Sequence, residues 1–112
     1  MPFQTKLTEF HKVATMQELP DGEMLGVNAE GIDIMLARIG DEVFSIYNNC
    51  SHADAMLNFG ILHPEMCVVE CPLHEGYFDL RTGEAVQEPA EDPVEAYTVR
   101  IEGDEIWIGP KE

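Results

Sequence analysis

Two short motifs with the same ligand types constrain this chain more than any other feature. Cys50–His52 reads Cys-x-His, and Cys71–His74 reads Cys-x-x-His. Thiolate and imidazole together suit a transition metal or an iron–sulfur centre. Two matching pairs therefore predict a fold that brings both loops to one shared metal centre. The candidate ligands are Cys50, His52, Cys71 and His74.

Zinc and a 2Fe–2S cluster are both compatible with two cysteines and two histidines. Zinc sites usually group like ligands, as in Cys-x-x-Cys followed by a pair of histidines. Each pair here is mixed, as in Rieske-type centres, in which two histidines replace two cysteines on one iron. We therefore favour a 2Fe–2S cluster with Cys50 and Cys71 on one iron and His52 and His74 on the other. A structural zinc module is the alternative.

Charge and hydropathy limit the partners of the chain. Acidic residues outnumber basic ones by 22 to 6, for a formal net charge of −16 in 112 residues. Because Lys and Arg contacts to phosphate dominate nucleic-acid binding, we expect neither nucleic acid nor an anionic membrane as a partner. The charge can steer the chain to a basic partner, although solubility alone also explains it. No apolar run approaches the roughly 20 residues of a membrane span, which predicts a soluble, cytoplasmic protein.

The remaining cysteine and a further histidine are predicted to lie outside the metal centre. Three cysteines in a reducing compartment do not indicate a disulfide framework. Cys67 lies in an apolar segment and is predicted to be a core residue. His63 stands beside Pro64 in a predicted turn, so we expect it to be exposed and not to bind the metal.

Short apolar segments alternate with turn signals, which predicts an all-β single domain over residues 1–112. The pattern favours a small antiparallel β-barrel or sandwich with an inserted metal-binding hairpin subdomain at about residues 49–79. Glu30-Gly31 and Gly40-Asp41 are predicted hairpin turns. The predicted strands are Phe10–Ala14, Glu23–Val27, Ile32–Ile39, Glu42–Tyr47, Phe59–Leu62, Met66–Val69, Tyr77–Leu80, Ala96–Glu102 and Glu105–Ile108, with a helical turn at Met16–Leu19 and a loop at Glu88–Pro93.

The chain resembles the Rieske-type ferredoxins, the small electron carriers of bacterial aromatic-ring dioxygenase systems. The resemblance lies in Asn49–Ala55 and Val69–Gly83 and extends weakly through Phe10–Ala14 and Tyr97–Gly103. It implies a one-electron carrier with one 2Fe–2S cluster and no catalysis of its own. The implied partners are a flavin-containing, NADH-dependent ferredoxin reductase and a terminal ring-hydroxylating dioxygenase. A Rieske-like accessory subunit that works only inside a larger reductase complex is the alternative.

Four positions of the chain differ from the high-potential Rieske proteins of respiratory complexes. Those proteins have a disulfide between the cluster loops, where this chain has Ala55 and Leu73. They also have Ser and Tyr hydroxyls that hydrogen-bond cluster sulfurs, where this chain has Gly76 and Phe78. Such hydrogen bonds raise the reduction potential, so their absence predicts a value near the low end of the Rieske range, about −150 mV.

Overall fold

The computed structural model describes residues 5–50, 55–73, 76–87 and 92–112. In this part the prediction of an all-β chain is confirmed, because the regular elements are ten strands and two three-residue 3-10 helices. Neither helix is long or apolar enough to cross a membrane. The strands are β1 (His11–Thr15), β2 (Met24–Ala29), β3 (Ile32–Ile39), β4 (Glu42–Tyr47), β5 (Ile61–His63), β6 (Val68–Glu70), β7 (Tyr77–Asp79), β8 (Ala85–Gln87), β9 (Thr98–Glu102) and β10 (Glu105–Gly109), and the helices are Met16–Glu18 and Leu57–Phe59.

The strands form three antiparallel sheets. Their strand orders are β1-β10-β9, β2-β3-β4 and β5-β6-β7-β8. Backbone hydrogen bonds join the first two sheets: Tyr47 N–H donates to the Glu95 carbonyl at 2.8 Å, and Tyr97 N–H donates to the Ser45 carbonyl at 2.9 Å. We call these two joined sheets the barrel and the third sheet the hairpin sheet.

Strand β3 separates two hydrophobic clusters and contributes side chains to both. Ile34 and Leu36 are buried in the cluster that also contains Ile106 and Ile108 of β10. Met35 on the opposite face is buried in a cluster with residues of the hairpin sheet. A strand that is buried on both faces reads as a continuous apolar run, and Ile34–Ala37 has that pattern. Strand β3, itself part of the barrel, therefore contributes one face to the core of the barrel and the other to the core shared with the hairpin sheet.

The structure corrects two predicted strands that flank the β5–β6 turn. Phe59 ends a 3-10 helix, and β5 begins only at Ile61. Met66 and Cys67 lie in the turn, because their N–H groups donate to the carbonyls of His63 and Pro64, each at 3.2 Å. Strand β6 therefore begins at Val68.

The other predicted elements agree with the structure except at one end of the hairpin sheet. The helical turn after β1 is the 3-10 helix Met16–Glu18. The short strand β8 was not predicted from the sequence, because three residues are too few for a periodic signal. Residues 88–91 of the predicted loop Glu88–Pro93 lie outside the described residues.

Glu30, at the tip of the β2–β3 hairpin, anchors the segment that leads into β1. Its carboxylate accepts hydrogen bonds from His11 Nε2 at 2.7 Å, from Thr8 N–H at 3.0 Å and Oγ1 at 2.9 Å, and from Glu9 N–H at 3.3 Å. The bond from His11, followed by that from the Thr8 backbone, lowers the pKa of Glu30 from 4.5 to about 2. The hairpin tip and the entry to β1 are thus held together by a carboxylate whose charged form these bonds favour.

We expect Glu30→Gln to lower stability at neutral pH and to flatten its loss in acid. A carboxyl group whose pKa is lowered on folding contributes stability above its unfolded pKa, and that stability is lost as pH falls through the folded pKa. For Glu30 this window runs from pH 4.5 to about 2. Urea midpoints measured across the window test this expectation. Asp41→Asn, which removes the same charge from a fully exposed side chain, is the control. A Glu30→Gln stability profile that parallels the wild-type profile would contradict the assignment.

Candidate metal centre

The two loops that carry the predicted ligands are closed in the same way. Cys50 N–H donates to the Ala55 carbonyl at 2.9 Å, and Cys71 N–H donates to the Gly76 carbonyl at 2.8 Å. In both cases the acceptor lies five positions after the cysteine. We call residues 50–55 the first Cys loop and residues 71–76 the second Cys loop. The same backbone bond therefore places each cysteine at the base of a six-residue loop.

The flanking residues extend this equivalence. Asn49 forms an antiparallel bridge with Met56 just outside the first Cys loop. Glu70 pairs with Tyr77 just outside the second, as part of the β6–β7 ladder. Each loop thus projects from the end of an antiparallel pair, as the placement of the motifs after predicted strands requires.

The structure brings Cys50 and Cys71 into the same buried cluster. Their exposed fractions are 5% and 2%, and both pack in the cluster that contains Val69 and Phe78. His52 and His74 fall on residues 51–54 and 74–75, which lie outside the described residues. The structure therefore describes two of the four predicted site residues, and the ligand role of all four stays a prediction.

The surroundings of the two buried thiols fit a bound cluster. Thiolate is the form of cysteine that binds a metal, and a bound metal neutralises its charge. The core around Cys50 and Cys71 is apolar, with Val69 and Phe78 fully buried. Two cysteines held in this way can supply the thiolate half of a mixed Cys/His site.

Cys67 is confirmed as a core residue, although it lies in a turn and not in a strand. Its exposed fraction is 6%, and its φ of 57° is in the left-handed region. Burial raises the pKa of the Cys67 thiol, more than the neighbouring Arg81 lowers it. Cys67 therefore favours the protonated form, which is the weaker metal ligand.

His63 was predicted to be exposed in a turn, and that prediction was wrong. It is the last residue of β5, its side chain is 23% exposed, and its Nε2 lies 2.9 Å from Glu70 Oε1. Its ring stacks on Tyr77 with centroids 5.3 Å apart. The strand continues one residue further than predicted because His63 pairs with Val68, which places its ring over the Glu70–Tyr77 pair.

Asn48 and Asn49 were read from the sequence only as turn residues. Asn49 Oδ1 accepts a hydrogen bond from Ala55 N–H at 3.1 Å, across the base of the first Cys loop. Asn48 is fully buried and bonds to the residues that follow this loop. The signal available in the sequence was two adjacent amides directly before a ligand motif, which does not reveal the partners of those amides.

Residues 9–98 match the model of the Rieske [2Fe–2S] domain. The chain belongs to this family. It is also 38% identical, over 83% of its length and 88% of the relative, to the ferredoxin component of a naphthalene 1,2-dioxygenase system of Pseudomonas aeruginosa.

Solved structures place this Rieske chain among the same proteins. The ferredoxin of carbazole 1,9a-dioxygenase from Nocardioides aromaticivorans superposes with a TM-score of 0.88 at 42% identity, covering 93% of this chain and all of that one. A ferredoxin that has been solved in complex with the oxygenase of carbazole 1,9a-dioxygenase superposes with a TM-score of 0.83 at 27% identity, covering 92% and 96%.

These findings confirm the resemblance that the motifs carried. The chain is a Rieske ferredoxin of the kind found in aromatic dioxygenase systems, and it holds one 2Fe–2S cluster. Its role is that of an electron carrier and not of a catalyst, since the relatives are the ferredoxin subunits of their systems. The predicted Rieske fold is confirmed by the superposition.

Gly60 lets β5 approach the base of the second Cys loop, and we expect Gly60→Ala to weaken that base. A Cβ at this position would lie 1.9 Å from the Glu70 carbonyl oxygen, a backbone atom next to Cys71. Overpacking of this kind costs about 1–3 kcal/mol. The expected result is a lower urea midpoint together with a lower iron content after purification.

Val86→Ala is the matched control for Gly60→Ala. Val86 belongs to the same sheet, but its side chain is 52% exposed. It should keep the wild-type midpoint and iron content. A Gly60→Ala variant that behaved like Val86→Ala would contradict the close approach.

Proposed function

We propose that this ferredoxin carries single electrons from a flavin-containing, NADH-dependent reductase to the terminal oxygenase of an aromatic-ring dioxygenase system. The observation that carries the proposal is its 42% identity and end-to-end superposition with the ferredoxin of a carbazole dioxygenase. The oxygenase as recipient is supported by the related ferredoxin solved together with its oxygenase. The reductase is inferred from the type of system.

We assign Cys50 and Cys71 to one iron of the cluster and His52 and His74 to the other. The assignment is supported by the equivalent closure of the two Cys loops, in which a buried cysteine opens each loop and a histidine follows two or three positions later. When bound, a Rieske cluster supplies a one-electron couple whose potential depends on its ligands and on hydrogen bonds to its sulfurs.

The residues around the two cysteines exclude water and add no side-chain hydroxyl at the predicted positions. Phe78 is fully buried, and the Gly76 carbonyl accepts a hydrogen bond from the Cys71 N–H. A site of this kind supports a potential near the low end of the Rieske range, about −150 mV. The proposed cluster-binding subdomain, predicted at about residues 49–79, extends to residue 87 if it includes β8, which pairs with β7.

Apolar side chains near the Cys loops suit contact with a redox partner. Leu73, within the second Cys loop, is 64% exposed, and Met56, directly after the first, is 40% exposed. The net charge of −16 would bring a basic partner surface to this acidic molecule. We place the chain in the cytoplasm, where NADH is available and where buried cysteines stay reduced.

Substitution of the ligands should separate the proposed site from the remaining cysteine. We expect His52→Ala, His74→Ala and Cys71→Ala to lose the cluster, because each removes one proposed ligand. Cys67→Ala is the matched control; it should retain two irons and two acid-labile sulfides per chain and lose about 1 kcal/mol of stability. Iron and sulfide analysis, with EPR of the reduced protein, measures both. Loss of iron from Cys67→Ala would contradict the assignment.

A reconstituted electron-transfer chain tests the function itself. With a flavin reductase, NADH and a Rieske oxygenase, product formation should require this ferredoxin. The rate should fall as salt rises from 0.1 M to 1 M, because the screening length shrinks from about 10 Å to about 3 Å. A salt-independent rate would mean that the charge serves solubility. A colourless protein with one zinc, or no transfer to any oxygenase, would overturn the proposal.

A further inference from the structure

The residues that leave the first Cys loop are bonded back to the residues that enter it. Asn48 Oδ1 accepts a hydrogen bond from Asn58 N–H at 2.9 Å, and Asn48 Nδ2 donates to Asn58 Oδ1 at 2.8 Å. Leu57 N–H donates to the Asn48 carbonyl at 3.0 Å. Three hydrogen bonds thus close the chain just outside the loop.

Asn48 makes these bonds from a fully buried position. Its exposed fraction is 0%, whereas Asn58 is half-buried. A buried amide costs free energy unless its donors and acceptors are paired, so the Asn58 bonds are needed for Asn48 to lie there at all. The Asn48 N–H also donates to the Asp33 carbonyl in β3 at 3.0 Å, which ties the pair to the barrel.

Strand β2 is shaped to receive the pair. A Cβ at Gly26 would lie 3.2 Å from Asn48 Nδ2 and 3.4 Å from Asn58 Cγ. Glycine inside a strand costs about 0.5–1 kcal/mol relative to alanine, so its presence here needs a local reason. The close approach of the two amides to β2 supplies that reason.

The two Cys loops differ in how their bases are held. The second Cys loop continues the β6–β7 ladder, in which Glu70, Val69 and Val68 all pair with β7. Among the described residues, the first has the bridge from Asn49 to Met56 and the Leu57–Asn48 backbone bond before the chain turns into a 3-10 helix. The backbone pairing at its base is therefore shorter than in the second Cys loop, and the amide pair lies where a longer ladder would have continued.

We infer that Asn48 and Asn58 are positioning residues whose paired amides hold the first Cys loop on the barrel and thereby fix the geometry of the cluster. The inference rests on the proposed assignment of Cys50 and His52 as ligands, since these are the residues the loop presents. The amide pair takes no part in electron transfer itself and acts only by positioning the loop.

Asn58→Ala and Asn58→Asp test the pair without removing the buried residue. Asn58→Ala deletes the acceptor of Asn48 Nδ2, whereas Asn58→Asp keeps an oxygen in that place. We expect Asn58→Ala to lose its cluster to an iron chelator about fivefold to tenfold faster than wild type, the effect of one buried hydrogen bond. Its reduced-state EPR signal should shift or broaden, and Asn58→Asp should restore both the retention time and the signal.

Asn28→Ala is the matched control. Asn28 lies on β2 in a surface groove that Asn48 and Asn58 also line, and its Nδ2 donates to Asp33 Oδ1 at 3.2 Å. Among the described residues it makes no bond to the first Cys loop. It should keep wild-type retention and EPR, and urea unfolding of each variant checks its fold.

Two outcomes would overturn the inference while the wild type shows a normal Rieske signal. One is an Asn58→Ala variant with unchanged retention and EPR. The other is equal loss in Asn58→Ala and Asn28→Ala, which would show general destabilisation. A wild type without two irons and a Rieske signal would instead overturn the proposed function, whatever the variants did.

Discussion

The backbone bond that closes each Cys loop is the constraint on which the proposed metal centre depends. Residues 50–55 and 71–76 are far apart in sequence, yet each begins with a cysteine whose N–H is bonded to the carbonyl five positions later. A mixed Cys/His site requires both loops to present their side chains to one place. Two loops with equivalent bases on antiparallel pairs suit this requirement, and Cys50 and Cys71 lie in one buried cluster.

Strand β3 supplies that orientation because it is buried on both faces. Ile34 and Leu36 belong to the core of the barrel, while Met35 and Ala37 belong to the core that contains Cys50 and Cys71. Strand β3 thus joins the core of the barrel to the core that contains the proposed thiolate ligands. A change that shifted β3 would disturb both cores, which explains why its central residues are fully buried aliphatic side chains.

An electron carrier must associate with its partners quickly and dissociate from them again. The net charge of −16 attracts a basic surface within about one Debye length. Exposed Leu73 in the second Cys loop and exposed Met56 after the first offer apolar contact at short range. The chain therefore separates long-range attraction, which is spread over the molecule, from short-range contact near the centre.

The sequence by itself determined the all-β class, the two ligand motifs, the burial of Cys67 and the family, because these depend on periodicity, ligand type and spacing. Only the tertiary structure decided which residues support the loops. His63 reads as a turn residue beside Pro64, but pairing with Val68 keeps it in β5 and over Glu70.

Asn48 reads as an ordinary strand-ending amide. In the structure it is buried, hydrogen-bonded to Asn58 and packed against β2 where Gly26 has no side chain. Gly60 reads as part of a strand, yet its missing Cβ admits the Glu70 carbonyl. Each of these roles depends on which residues the fold brings into contact or on the close approach of two backbones, and a one-dimensional pattern of residue types contains neither.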